Sequence, residues 1–422
     1  MVFRGIPDAE RNRHPYLAWL FELGFDFTII SVYRRELHFP PDFCLPPGTI
    51  LISNHQRDAD APILGTALCQ RRGLRFRWPL PFFAGREDLF RRGFLAEYVA
   101  SWPPPVPQVL GWIPLSWLFA ILRTQPIRRV REFSTAETLD AVLAAGLGER
   151  APTTILNARG QRELGSGQHA LPAQLAALHS RTGSSVWGLR RLRKAARRAL
   201  VPAFRDTLAA QLRGFAALLD AGHAVYFSPE GVISADGRFG RVRGGLRQLC
   251  RLAAAAPRLL PVALSYDGLG PGRLRVIMQV GELLKAPDTT DRAGFSAAVR
   301  AAVLQLLHVN PSHLLAAYLA AGPASFTTGE FLDWWQRALT VIGQRGLRTD
   351  PLLTRAAADK LPEQRLHWLQ RKGLVQLTQG RWHNAWPRDT RAGWQTPTRR
   401  VAYFANGFDR MRGWNRNSVA AQ

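Results

Sequence analysis

The stretch Ile50-Leu51-Ile52-Ser53-Asn54-His55-Gln56-Arg57-Asp58-Ala59-Asp60-Ala61-Pro62-Ile63-Leu64 decides how the chain is read. Its apolar opening has strand character and ends in Ser-Asn-His. A polar turn with two carboxylates follows, and the pattern then becomes apolar and helical over residues 62 to 74. A histidine in such a turn serves as a base when a carboxylate holds its imidazole in one tautomer. Asp58 and Asp60 both lie within reach by sequence.

Outward from this turn, strand and helix patterns alternate. The strand at 48–53 is followed by strand-like segments at 75–84 (RFRWPLPFFA), 125–130, 224–227, 259–265 (LLPVALS) and 274–280. Helical patterns separate several of them, so the expected architecture is α/β, a mixed and mainly parallel sheet flanked by helices. Ligands of such sheets bind beyond the carboxyl ends of the strands. His55 and Glu230, the latter in Ser228-Pro229-Glu230-Gly231, each stand just past such an end and can share one site.

The domain plan that follows has four parts. Residues 1–48 are an apolar N-terminal membrane-association segment, and 49–310 the main domain with an Ala-rich helical insertion at 132–222. Helical patterns at 326–346 and 352–373, closed by a hairpin near Leu374 to Trp382, make 311–386 a small helical or winged-helix-like module. Residues 387–422 read as a basic, loosely ordered tail.

At 422 residues, with 46% hydrophobic and 10% aromatic content, the chain buries a real core. Its net charge of +25 comes almost wholly from arginine, since Lys194, Lys285, Lys360 and Lys372 are the only lysines. Such an excess favours an anionic partner, and an anionic membrane surface is expected ahead of nucleic acid. Cys44, Cys69 and Cys250 are scattered, so neither a disulfide framework nor a zinc site is expected. Phosphate-loop and dinucleotide-binding glycine motifs are missing, which removes the usual support for nucleotide hydrolysis and nicotinamide chemistry. Residues 15–33 and 109–122 are apolar and aromatic but short or interrupted. They suit interfacial segments, with burial inside the protein as the competing reading. Lacking a secretory signal pattern, the chain is expected at the cytoplasmic face of a membrane.

Four ordered blocks resemble the glycerolipid acyltransferase family typified by 1-acylglycerol-3-phosphate acyltransferase. Asn54-His55-Gln56-Arg57-Asp58-Ala59-Asp60 fits N-H-x4-D. Ile127-Arg128-Arg129 fits the end of the second block. Phe227-Ser228-Pro229-Glu230-Gly231-Val232-Ile233 stands where the family has F-P-E-G-T-R, and Pro261-Val262-Ala263-Leu264 fits the fourth. The resemblance covers residues 49 to 285 and selects Asp60 over Asp58 as the partner of His55. It implies transfer of a fatty acyl group from acyl-CoA or acyl carrier protein, as cosubstrate, to a lysophospholipid (lysophosphatidic acid-like) hydroxyl in phospholipid synthesis. His55 is then the base and Asp60 its orienting carboxylate. Arg129 is the phosphate clamp, and Glu230 and Gly231 shape the acceptor pocket. Amides at the start of the following helix are oxyanion donors, and no metal is required.

Val232 and Ile233 replace the family's Thr-Arg, so a phosphate-facing arginine is missing. Arg128, Arg238, Arg241 and Arg243 are the candidates to replace it, and Thr124 replaces the glycine that opens the second block. The other readings are an acyltransferase with a different lipid or amine-containing acceptor, and a catalytically reduced protein that binds anionic lipid or nucleic acid.

Overall fold

The computed structural model describes residues 15–41, 43–68, 71–72, 75–76, 80–86, 90, 116–127, 135–147, 152–164, 191–354, 360–387 and 390–410. These divide into two compact units, one within Met1–Ala18 and Phe82–Asp220, the other within Trp19–Pro81 and Ala221–Gln422.

The second unit holds the candidate site. It runs from Trp19 within α1 (Pro15–Val32) through β1 (Tyr33–His38), β2 (Thr49–Ser53) and α2 (Asp60–Leu68), then β3 (Val225–Tyr226), α3 (Gly244–Leu252), β4 (Arg258–Asp267), β5 (Leu274–Val280) and α4 (Arg292–Leu304). In this unit the sheet order is β1-β5-β4-β2-β3. β1 pairs with β5 in parallel, as β2 does with both β4 and β3, while β4 and β5 are antiparallel. This is the mixed, mainly parallel sheet that the alternating pattern implies. All of β2 and nearly all of β4 are buried, which is why both read as unbroken apolar runs rather than alternating ones.

β4 is ten residues long and β2 only five. Because Ser53 is in register with Val262, the last residues of β4 overhang the end of β2. Leu264 and Tyr266 therefore stand beside the turn that leaves β2.

Strand β1 lies inside the stretch taken as a membrane-association segment. Its charged sequence, YRRELH, hides it from a pattern search. Its Glu36 is answered by buried Arg275 on β5, which also bonds to Asp350 through Nη2 at 2.8 Å. Glu36 is held below its ordinary pKa; burial alone would raise it, and Arg275 outweighs that. Ahead of this strand, α1 leaves Leu20, Phe27, Ile30 and Val32 exposed, Phe27 at 73%. Among the described residues, no helix is long and apolar enough to cross a membrane.

Beyond α4 come α5 (Pro311–Ala321), β6 (Ser325–Phe326), α6 (Thr328–Gln344), α7 (Leu361–Arg371), β7 (Val375–Thr378) and β8 (Arg381–Asn384). The three strands form an antiparallel sheet in the order β6-β8-β7. Helix, strand, two helices and a hairpin thus occupy the span 311–386, which the sequence reading took as a small helical or winged-helix-like module. Its helices start where the sequence supplies caps: Asn310 with His313, and Thr327 with Glu330, form reciprocal capping boxes. The hairpin turns on Gln379 and Gly380, both at positive φ, as a two-residue turn between twisted strands requires. The module is bonded to the main sheet. Arg365 of α7, itself buried, places Nη2 2.6 Å from Asp267 at the end of β4, and Ser312 Oγ donates to the same carboxylate at 2.5 Å.

The tail differs from its expected loose state. Residues 397–410 form α8 (Pro397–Arg410), with Val401, Phe404, Ala405 and Phe408 buried. Their i, i+3, i+4, i+7 spacing is an apolar helix face masked by the surrounding arginines. His313 of α5 meets this face, edge-on to Phe404 and stacked on Phe408. Residues 411–422 lie outside the described residues.

In the other unit, the segment read as one strand over 75–84 is divided. Arg71–Arg72 and Arg75–Phe76 form a short antiparallel pair, assigned to the second unit, and the strand proper is Phe82–Arg86, parallel to Thr124–Ile127. The helical insertion contains the long helix Lys194–Asp220 and an apolar cluster that includes Val142, Leu156, Leu200 and Phe204. Arg128 and Arg129 lie outside the described residues.

Candidate active site

Parallel pairing of β2 with both β3 and β4 puts three carboxyl ends on one side of the sheet. His55 follows β2, Glu230 follows β3, and Tyr266 closes β4. The site is built where these ends meet.

Asn54 fastens the turn to the overhanging strand. Its Nδ2 donates to the carbonyl of Leu264 and its Oδ1 accepts from the Leu264 amide, each at 2.8 Å. A side-chain amide offers a donor and an acceptor together, so it replaces one rung of the backbone ladder at the point where β2 has ended. The residue before the histidine is thus a strap, which fixes where the imidazole begins.

His55 is held from two directions. Its amide donates to Glu230 Oε2 at 2.8 Å, and its Nδ1 lies 2.9 Å from Asp60 Oδ2. A carboxylate accepts only, so Nδ1 carries the proton and Nε2 presents its lone pair. The His55 side chain is 17% exposed and that of Asp60 0%. The buried acid therefore orients an imidazole that is partly open to solvent.

Asp60 is saturated. Oδ2 also accepts from the amides of Gln56, at 2.6 Å, and Arg57, at 2.9 Å. Oδ1 accepts from the Tyr266 hydroxyl. Asp58 is exposed, so the turn itself selects Asp60. Asp60 also opens α2, where the helix macrodipole favours a negative charge. Burial and the nearby Asp60 charge hold the Tyr266 phenol well above its ordinary pKa, so it remains a donor throughout the working range. Tyr266 is 206 residues away in sequence, and only its place at the end of a buried apolar strand marks it.

Glu230 lies behind the histidine, where it was expected to line an acceptor pocket. It is 2% exposed, and Oε1 accepts from the Gly240 amide at 2.6 Å while Oε2 takes the His55 amide. Burial pushes its pKa up to about 7, the two amide bonds opposing. The Ser234 amide returns to the His55 carbonyl at 2.7 Å, so both backbone groups of His55 are bound to the loop after β3. Gly231 has φ +63°, which makes glycine the natural residue for this turn. Gly237 shows the same need more sharply: a Cβ there would lie 2.0 Å from the carbonyl oxygen of Tyr403 on α8.

Two expectations change with this geometry. The amides of Gln56, Arg57 and Asp60 are all spent within the turn, and Pro62 has none, so these are not oxyanion donors. Two of the arginines proposed to replace the missing one have other partners. Arg243 Nε donates to the Glu230 carbonyl, and Arg238 reaches Asn406 and Asp236. Arg241 is exposed. Arg128 and Arg129, as noted, are outside the described residues.

Among the described residues no group of three or more His, Cys, Asp or Glu side chains is arranged to hold a metal ion.

No family model matches the chain. No curated protein matches it either. Among solved structures, the chain is similar to the crystal structure of the 1-acyl-sn-glycerophosphate (LPA) acyltransferase PlsC from Thermotoga maritima. Identity is 15%, and the match covers 72% of this chain and 83% of that one with a TM-score of 0.34. That likeness is too loose to carry chemistry from one protein to the other.

Proposed function

We propose that this chain is an acyltransferase that moves a fatty acyl group from acyl-CoA or acyl carrier protein to the hydroxyl of a lysophospholipid. The observation that carries the reading is the accessible His55 with Nδ1 on the buried, fully bonded Asp60. That pairing suits removal of a proton from an alcohol at neutral pH.

In the reaction, Nε2 of His55 takes the acceptor's hydroxyl proton as its oxygen attacks the thioester carbonyl. A C–O bond forms and the carbonyl oxygen becomes an oxyanion. Collapse breaks the C–S bond, and the imidazolium returns the proton to the departing thiolate. The products are an ester and a free thiol. Asp60 stabilises the transient imidazolium, and Tyr266 and the two turn amides keep Asp60 from rotating away. Glu230 and Ser234 fix the backbone from which the imidazole projects.

The acceptor is reached at a membrane surface. The exposed Leu20, Phe27, Ile30 and Val32 of α1, together with the arginine excess, support peripheral attachment to anionic lipid. Val232 and Ile233 in place of the expected arginine favour a second reading, an acceptor with an amine-containing or glycolipid headgroup. Incubation with one acyl-CoA and a panel of lyso-acceptors, with mass spectrometry of the products, separates the two. Acylation of lysophosphatidic acid supports the first, and acylation confined to other acceptors supports the second.

A further inference from the structure

Two guanidinium groups meet at Trp394, in the segment leading into α8. Arg57 lies over its indole at 4.5 Å from the ring centroid, flanked by the rings of Tyr33 at 5.8 Å and Tyr266 at 5.9 Å. Arg400 donates Nε to the carbonyl oxygen of the same tryptophan at 3.0 Å. Burial and the charge of Arg57 both press Arg400 below its ordinary pKa. Among the described residues, no carboxylate forms an ion pair with either group.

This arrangement is costly as it stands. Two partly buried like charges repel, and among the described residues neither has a carboxylate ion-pair partner. Arg275 and Arg365 differ in having carboxylate partners. The aromatic rings hold Arg57 in place while leaving its N–H groups free to donate, since a cation over a ring face spends no hydrogen bonds. Arg57 is also two residues from His55, on the same turn.

We propose that Arg57 and Arg400 form a phosphate-binding site beside the catalytic histidine, replacing the arginine absent at Val232-Ile233. Its role in substrate selection rests on the acyl-transfer reading; its existence does not. The phosphate comes from one of two sources, the acceptor headgroup or the coenzyme A portion of the donor.

Calorimetric titration of the full chain with glycerol 3-phosphate and, separately, with coenzyme A tests this without turnover. The wild type binds at least one of them, with competition by inorganic phosphate. Arg57→Gln and Arg400→Gln each weaken that binding by about tenfold or more, as loss of a charge-assisted hydrogen bond requires. Arg57→Lys and Arg400→Lys retain most of it. Losses confined to glycerol 3-phosphate assign the site to the acceptor, and losses confined to coenzyme A assign it to the donor. Equal binding by the wild type and the Gln variants, or no binding of either ligand by the wild type, overturns the site. If a Gln variant does not fold, absence of phosphate competition in the wild type is the overturning result. Binding lost in the Gln variants of a protein that transfers no acyl group supports the site and refutes the reaction.

Discussion

The two flanks of the His55 turn are built on opposite principles. On the Asp60 flank, each carboxylate oxygen is filled, by His55, Gln56 and Arg57 on one side and Tyr266 on the other. On the Arg57 flank, two guanidinium groups share a tryptophan and meet no acid among the described residues. A saturated flank fixes one geometry, as a base must be fixed before its substrate arrives. An unsaturated flank keeps its charge available for a guest. Proximity to one histidine therefore does not give the two sides one role.

The hardest break falls on the saturated flank. Asp60→Asn keeps the shape but puts an amide donor among groups that all donate, so the imidazole loses its tautomer. Turnover is expected to fall by about 10³-fold or more with little change in KM, measured by steady-state kinetics.

Next is Glu230, whose folded pKa of about 7 lies above its ordinary 4.5 because it is buried. Protonation thus favours the folded state. This contribution is complete below the lower value and is lost as pH rises through the higher one, about 3 kcal/mol in all. Glu230→Gln removes that loss. Denaturant unfolding of both proteins at about pH 5 and about pH 8 should show the wild type losing more stability on going to the higher pH. Equal pH dependence would place the Glu230 carboxylate in water.

The smallest effect belongs to Tyr266→Phe, which removes one donor from Asp60. Turnover falls by about tenfold. Unchanged turnover in a folded Tyr266→Phe protein would make Tyr266 a packing residue only.

What the sequence reveals of this site follows from distance along the chain. His55 and Asp60 are five residues apart at a strand-to-helix junction, so their pairing is written in local spacing. Glu230 is visible as a strand-ending motif, but its two amide partners are not, because a motif names a residue and not the direction it faces. Tyr266 and Trp394 reach the turn only through the overhang of β4 and the docking of α8, which are consequences of packing. β1 and α8 are obscured for a common reason: charged residues interrupt the apolar pattern. The fold answers some of them with partners such as Glu36 and Arg275. The sheet itself was legible because β2 and β4 are buried on both faces.

The central claim, that His55 is the base of an acyl transfer, is tested most directly by comparing the wild type with His55→Ala. Each is given acyl-CoA and a lysophosphatidic acid-type acceptor, and the ester is quantified by mass spectrometry. The account predicts esterification by the wild type and at least about 10³-fold less by the variant, with both proteins showing the same thermal unfolding. Turnover retained in a folded His55→Ala protein would contradict it.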